Sequence, residues 1–164
     1  MSLMQFFSNL EATPVATAIR ESTWLFPTIE TLHVLSIVLV VGTIMIVDLR
    51  LINLAGRRRG MSDLMNEVLP WTWGAFVCAV VTGSLLFSSS AVKYSHSATF
   101  KFKMVMLLTA GINMAVFHLG AYRKVHLWDR AAMTPTGARI AGGVSLAIWV
   151  TVVALGRWTG FTTN

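Results

Sequence analysis

Apolar residues of this chain occur in four long runs, at about 25–47, 68–87, 102–122 and 140–158, and none of the runs carries a regular polar face. A helix rises 1.5 Å per residue, so about 20 apolar residues cross a hydrocarbon core roughly 30 Å thick. A long helix of a soluble protein would carry a polar stripe. The pattern therefore predicts an all-α integral membrane protein, and the short links favour an up-down four-helix bundle over residues 23–164.

The first 22 residues follow a different pattern. Thr13 followed by Pro14 is typical of a helix N-cap and first helical position. The residues before them place apolar side chains on one helical face, at Leu3, Phe6, Phe7 and Leu10. We expect an interfacial amphipathic helical segment over residues 1–22, with Glu11, Arg20 and Glu21 in water. The segment lacks a basic start and an apolar core, so a cleavable signal peptide is not expected.

Charge supports the membrane assignment and predicts an orientation. Charged residues make up 12% of the 164 residues, about half of the usual share in soluble domains. The net charge of +6 does not indicate nucleic-acid binding, because the basic residues lie in the links and at the ends of the runs. One side holds eight of them, Arg50, Arg57, Arg58, Arg59, Arg123, Lys124, Arg130 and Arg139, and the other side holds five. The positive-inside rule then predicts a bacterial inner-membrane protein with both termini periplasmic.

Two ionisable residues inside the first run are the leading candidates for chemistry. Glu30 and His33 are three positions apart and therefore share a helical face. An ionisable residue within a span is a functional-site hypothesis. A neutral imidazole is the usual ligand of haem iron in a helical bundle, and Glu30 could receive the second ring N–H. The alternative is a polar pair that only joins helices, and the sequence favours neither.

His118, in the third run, is the second candidate ligand. Counted from the outer ends of their runs, His33 lies about 12 Å deep and His118 about 24 Å deep, which is a poor match for two ligands of one haem. His96, in the second link, fits the depth of His33 better if its loop folds over the bundle. Arg157 could bind a haem propionate or anchor the fourth run at the interface.

Known motifs of soluble enzymes are absent from the sequence. It contains no phosphate-binding Gly-rich loop, no zinc HExxH motif and no nucleophile elbow. Its one cysteine, Cys78, has no partner for a disulfide or a cysteine-based metal site. Asn113 and Ser145 are expected to form hydrogen bonds between helices. The sequence does not decide whether the chain is an enzyme.

Short motifs over most of the chain resemble a family of small bacterial four-helix membrane proteins of uncharacterised function. They are W-L-F-P…E-x-x-H at 24–33, G…D-L-R at 42–50, T-G-x-L-L-F at 82–87, N…F-H at 113–118 and G-R-W at 156–158. The layout is also similar to copper-resistance D-type membrane proteins and small b-type cytochromes, whose bundle histidines hold metal or haem. That resemblance implies His33 and His118 as ligands of haem or of a metal.

The leading prediction is a membrane b-type cytochrome or electron-transfer subunit that binds haem b and works with other membrane or periplasmic redox subunits. A homo-oligomer is a further option. The first alternative is a non-catalytic accessory subunit of a larger membrane complex, in which the polar residues only pack helices. The second is a copper or small-cation transport component that uses Glu30, His33 and the methionines.

Overall fold

The all-α prediction is confirmed by a computed structural model, which describes residues 2–56, 58–131 and 133–162. These ranges contain no strand. The helices are α1 (Leu3–Glu11), α2 (Pro14–Glu21), α3 (Leu25–Leu51), α4 (Met61–Ser89), α5 (Ala91–His96), α6 (Ala98–Leu119) and α7 (Thr136–Thr162). A 3₁₀ segment, Ala121–Leu127, follows α6.

Among the described residues, four helical stretches are long and apolar enough to cross a membrane, namely Leu25–Leu51, Met61–Ser89, Ala98–Leu127 and Thr136–Thr159. The chain is therefore a multi-pass membrane protein with a four-helix core. The helices are longer than the predicted apolar runs because polar residues next to the runs are also helical. Asp48 and Arg50 lie inside the last turn of α3, and α4 begins at Met61, ahead of the run predicted from about residue 68.

The core helices are arranged in the order α4, α3, α7, α6. Helix α3 packs against α4 on one side and α7 on the other, and α6 packs against α7. Within the described residues α4 and α6 do not pack along their length. They approach at the end of the bundle that carries α5, called the outer end below, and the opposite end is called the inner end. There the ring centroids of Phe87 and Phe100 are 5.3 Å apart, and the Tyr94 ring of α5 lies 6.2 Å from the first and 5.4 Å from the second. The bundle is thus closed by aromatic rings at one end.

The N-terminal helices cover the outer corner between α4 and α5. The Thr13 side chain accepts the Ala16 N–H, which confirms the predicted cap. Glu11 and Arg20 were expected in water, but the Glu11 carboxylate accepts the Val92 N–H at 3.2 Å and Arg20 donates to the Ser89 carbonyl at 3.3 Å. Helix α5 has no side-chain cap of its own. Glu11 therefore satisfies an N–H at the start of α5 that would otherwise lack a partner.

Arg50 joins the inner links from a buried position. Only 1% of its surface is exposed, and its guanidinium donates to the Arg59 carbonyl, the Thr134 hydroxyl and the Asp129 carbonyl at 3.2–3.4 Å. Arginine suits this position because its planar group offers several donors in fixed directions. One side chain at the end of α3 thereby fixes the link after α3 and the link before α7.

Asp129 caps α4 from a different part of the chain. The N-cap residue of α4 is Gly60, which has no side chain to accept the first N–H groups. Asp129 Oδ1 accepts the Ser62 N–H at 2.7 Å instead. This hydrogen bond holds the pKa of Asp129 below its ordinary value. A Cβ at position 60 would stand 2.8 Å from Asp129 Oδ2, so glycine makes room for the cap.

Candidate functional site

His33 lies between α3 and α4 in the outer half of the bundle and is half-buried. Its Nδ1 is 3.0 Å from the Thr82 hydroxyl oxygen on α4. The ring is also within hydrogen-bonding reach of the Ala79 carbonyl on the same helix. The imidazole is therefore held against α4, with Nδ1 facing Thr82.

The direction of the Thr82 hydroxyl determines which ring nitrogen carries the proton. Thr82 donates its single hydroxyl proton to the Cys78 carbonyl at 2.7 Å. Its oxygen then has only lone pairs to offer His33, so Nδ1 must carry the ring proton and donate it. A neutral imidazole with its proton on Nδ1 has an unprotonated Nε2. Nε2 is the nitrogen that can bind a metal or accept a further hydrogen bond.

Gly83 allows the ring to lie directly against α4. A Cβ at position 83 would stand 2.9 Å from His33 Cε1 and 3.4 Å from Nδ1. The first distance is shorter than the usual contact of about 3.5–4.0 Å between carbon atoms. Thr82 and Gly83 therefore hold the imidazole against α4. Thr82 forms a hydrogen bond with the ring, and Gly83 has no side chain that would push the ring away; we call these two residues the seat of His33.

Other polar groups lie near His33 at the outer end. Lys103 of α6 is within electrostatic range of the ring, and its Nζ is 3.7 Å from the position of a Cβ on Gly156 of α7. Glu30 is exposed, and in the described residues no hydrogen bond joins it to His33. Burial raises the pKa of Tyr94, and the nearby Glu30 carboxylate raises it further. The Glu30 carboxylate therefore interacts electrostatically with Tyr94 and forms no hydrogen bond with the imidazole in the described residues.

The structure does not bring His118 to this site. His118 is near the inner end of α6 and follows Phe117, which belongs to the inner core cluster with Leu51. Along α3, His33 and Leu51 are separated by about five turns, or about 27 Å. The His118 Nδ1 donates to the Met114 carbonyl at 2.9 Å, since a carbonyl only accepts, so its Nε2 is also unprotonated when the ring is neutral. Two histidines at opposite ends of the bundle cannot share one iron.

The remaining candidates lie at the surface. His96 is exposed at the end of α5, on the outer side, and Arg157 is exposed on α7, beside Gly156. Asn113 donates to the Ala141 carbonyl at 3.0 Å and so joins α6 to α7, as predicted. No three His, Cys, Asp or Glu side chains within the described ranges come together as a group that could hold a metal ion.

Comparison with known proteins gives a family. The family of unknown function DUF6644 matches residues 22–162. The chain belongs to DUF6644. No curated protein and no solved structure matches it. The family match covers all four spans of this DUF6644 protein, and both His33 and His118 lie within it.

The sequence analysis did not identify Thr82, Gly83 or Lys103 as neighbours of His33. Thr82 and Gly83 are adjacent in the T-G-x-L-L-F motif, a pairing of a hydroxyl with a missing side chain that could have indicated contact with a ring. The position of Lys103 inside the helical run, between Phe102 and Met104, is the signal that places it within the bundle.

Proposed function

We propose that this DUF6644 protein is a membrane electron-transfer subunit that binds haem b through Nε2 of His33. The observation that supports this proposal is the chain of hydrogen bonds from His33 Nδ1 to Thr82 and from Thr82 to the Cys78 carbonyl. A histidine that ligates a metal usually donates its other ring N–H to a fixed acceptor, which orients the ring. Haem supplies the one-electron chemistry, and the bundle sets its position and potential.

Two features of the surroundings of His33 support this proposal. The ring is half-buried in an apolar bundle, and a cationic lysine lies nearby to face a haem carboxylate. His118 is too distant to be the second ligand of the same iron, so the His33 site takes one histidine from this chain.

The accessory-subunit alternative has an observation of its own. His33 bonded to Thr82 and Asn113 bonded to the Ala141 carbonyl both join neighbouring helices. Such bonds stabilise membrane bundles by about 1 kcal/mol without any cofactor. In that case replacing His33 should weaken the fold or a partner contact and change no absorption spectrum.

Copper transport has less support from the geometry. Soft thioether and thiolate ligands would be expected for copper. Cys78 is exposed on α4, and Met104 and Met106 are two positions apart on α6, so they point in different directions. Metal analysis of the purified protein would test this alternative directly.

We further propose a bacterial inner-membrane location with periplasmic termini and with redox subunits as partners. The support is the excess of arginine and lysine on the side of the first and third links. Cysteine-labelling with a membrane-impermeant reagent at Ser2 and at Arg58, in a variant without Cys78, separates the two orientations. Labelling at Arg58 but not at Ser2 in intact spheroplasts would contradict the proposed orientation.

Haem content tests the proposed function. Protein expressed with ample haem and purified in mild detergent should contain haem in the wild type and in His118→Ala. His33→Ala should lose it, and His96→Ala, altered at an exposed position, should retain it. Haem retained equally in wild type and His33→Ala would overturn the assignment of the ligand.

A further inference from the structure

A cationic segment follows α6 at the inner end of the bundle. It is the 3₁₀ segment Ala121–Leu127, which contains Arg123, Lys124 and His126. The 22 residues of α6 extend over about 33 Å, which is already enough to cross a hydrocarbon core roughly 30 Å thick. The 3₁₀ segment therefore lies at the level of the lipid headgroups.

One side of the 3₁₀ segment is fixed to the protein. Tyr122 and Val125 pack against the inner core cluster, to which Trp128 belongs. The Trp128 indole N–H donates to the Ala121 carbonyl at 3.2 Å, so the residue after the segment is tied back to its beginning. The surface that the segment presents is therefore formed before any partner binds.

The other side of the 3₁₀ segment carries cations next to apolar side chains. Arg123, Lys124 and His126 are exposed. Leu127 is 71% exposed, and Leu119, at the end of α6, is 68% exposed. Cationic and apolar groups side by side match a phospholipid, which offers a phosphate group next to acyl chains.

No acidic side chain in the described ranges forms an ion pair with the two adjacent cations of this segment. All seven Asp and Glu residues of the chain lie within those ranges, and their ion pairs involve other cations. At the inner end Asp63 is paired with Arg130. Glu67 is paired with Arg59. Asp129 accepts a backbone N–H as the cap of α4. The acceptor for the two cations must therefore come from a partner or from water.

We propose that the segment Ala121–Leu127 binds acidic phospholipids of the adjoining leaflet. Arg123 and Lys124 contact the phosphate groups, and Leu119 and Leu127 lie against the upper parts of the acyl chains. A lipid is favoured over a soluble anion because only the lipid offers an apolar partner to the exposed leucines. Clusters of cations next to a membrane span are a recognised basis for binding acidic lipids. Lipid binding at this segment is independent of haem binding at His33.

Native mass spectrometry of the full chain in mild detergent measures the binding of single lipids. Phosphatidylglycerol and phosphatidylcholine with identical acyl chains are the two probes. One cation close to an acidic lipid surface strengthens binding about fivefold, and two strengthen it about 25-fold. We therefore expect Arg123→Gln/Lys124→Gln to lose about 25-fold of the wild-type preference for phosphatidylglycerol.

Arg59→Gln/Arg130→Gln is the matched control for this double variant. It removes the same charge from the same end of the bundle, but from cations that are already paired with carboxylates. Its preference for phosphatidylglycerol should remain near that of the wild type. Equal losses in the two double variants, or equal binding of the two lipids by the wild type, would overturn the proposal.

A further comparison separates a lipid from a free phosphate ion. Leu127→Ser removes an apolar contact without changing the charge and should weaken the binding of phosphatidylglycerol. Inorganic phosphate at the same concentration should not displace the lipid. Either displacement by inorganic phosphate or unchanged lipid binding in Leu127→Ser would overturn the assignment of a lipid.

Discussion

Gly83→Ala tests how closely His33 depends on its seat on α4. The new Cβ would stand 2.9 Å from His33 Cε1, and carbon atoms pack at about 3.5–4.0 Å. The ring must therefore retreat by about 0.6–1 Å. A retreat of this size away from α4 lengthens the 3.0 Å bond to Thr82 to about 3.6 Å or more, which is no longer a hydrogen bond.

The free-energy cost can be worked from these distances. Loss of the hydrogen bond costs about 1 kcal/mol, and the extra methyl group in a packed interface costs about 1–3 kcal/mol. Replacing glycine by alanine inside a helix gives back about 0.5–1 kcal/mol. The net expectation is a destabilisation of about 1–3.5 kcal/mol, together with a misdirected Nε2 and lower haem content.

Gly74→Ala is the matched control on the same helix. Nothing lies within 4 Å of a Cβ at position 74, so only the helix-forming gain should remain. The free energy of unfolding in detergent and the haem content per chain should be measured for both variants. If Gly83→Ala behaves like Gly74→Ala in both measurements, the proposed seat for His33 is refuted.

Three further predictions concern other contacts. Thr82→Val keeps the side-chain shape but removes the acceptor, so haem affinity should fall about 10–100-fold in a haem titration, and an unchanged affinity would contradict the tautomer argument. Arg50→Met removes the three hydrogen bonds of a buried guanidinium and should lower the unfolding free energy by about 3 kcal/mol. The exposed ion pair of Arg59 with Glu67 is worth at most about 1 kcal/mol, so Arg59→Met should cost less, and equal losses would argue against the buried role of Arg50. The lowered pKa of Asp129 means that its stabilising contribution is present above the ordinary value of about 3.9 and is lost as the pH falls through the lowered folded value. Asp129→Asn should remove that part of the acid dependence in unfolding measurements, and an unaltered dependence would contradict it.

The fold was predictable because its determinants are local. Runs of apolar residues specify spans, and the pair Thr13–Pro14 specifies a helix start. The tertiary ties were not predictable from one sequence. The contacts of Glu11 with Val92 and of Arg50 with Thr134 join residues about 80 positions apart, and no periodicity encodes them.

The candidate site was predictable only in part. His33 was identifiable because an ionisable residue stands out in an apolar run. Its partner was misjudged: Glu30 is one helical turn away, but the ring turns towards Thr82 on the neighbouring helix. Helical spacing shows which residues share a face and does not show which helix that face meets. The same limit explains why Lys103, on a different helix, was not associated with His33.

The central claim is that His33 Nε2 is presented for haem iron. The most direct measurement is a dithionite-reduced minus oxidised visible spectrum of the purified wild type and of His33→Ala, both expressed with ample haem. We predict a sharp b-type α-band in the wild type that is absent from His33→Ala. A flat spectrum in the wild type, or an identical band in both proteins, would contradict the account.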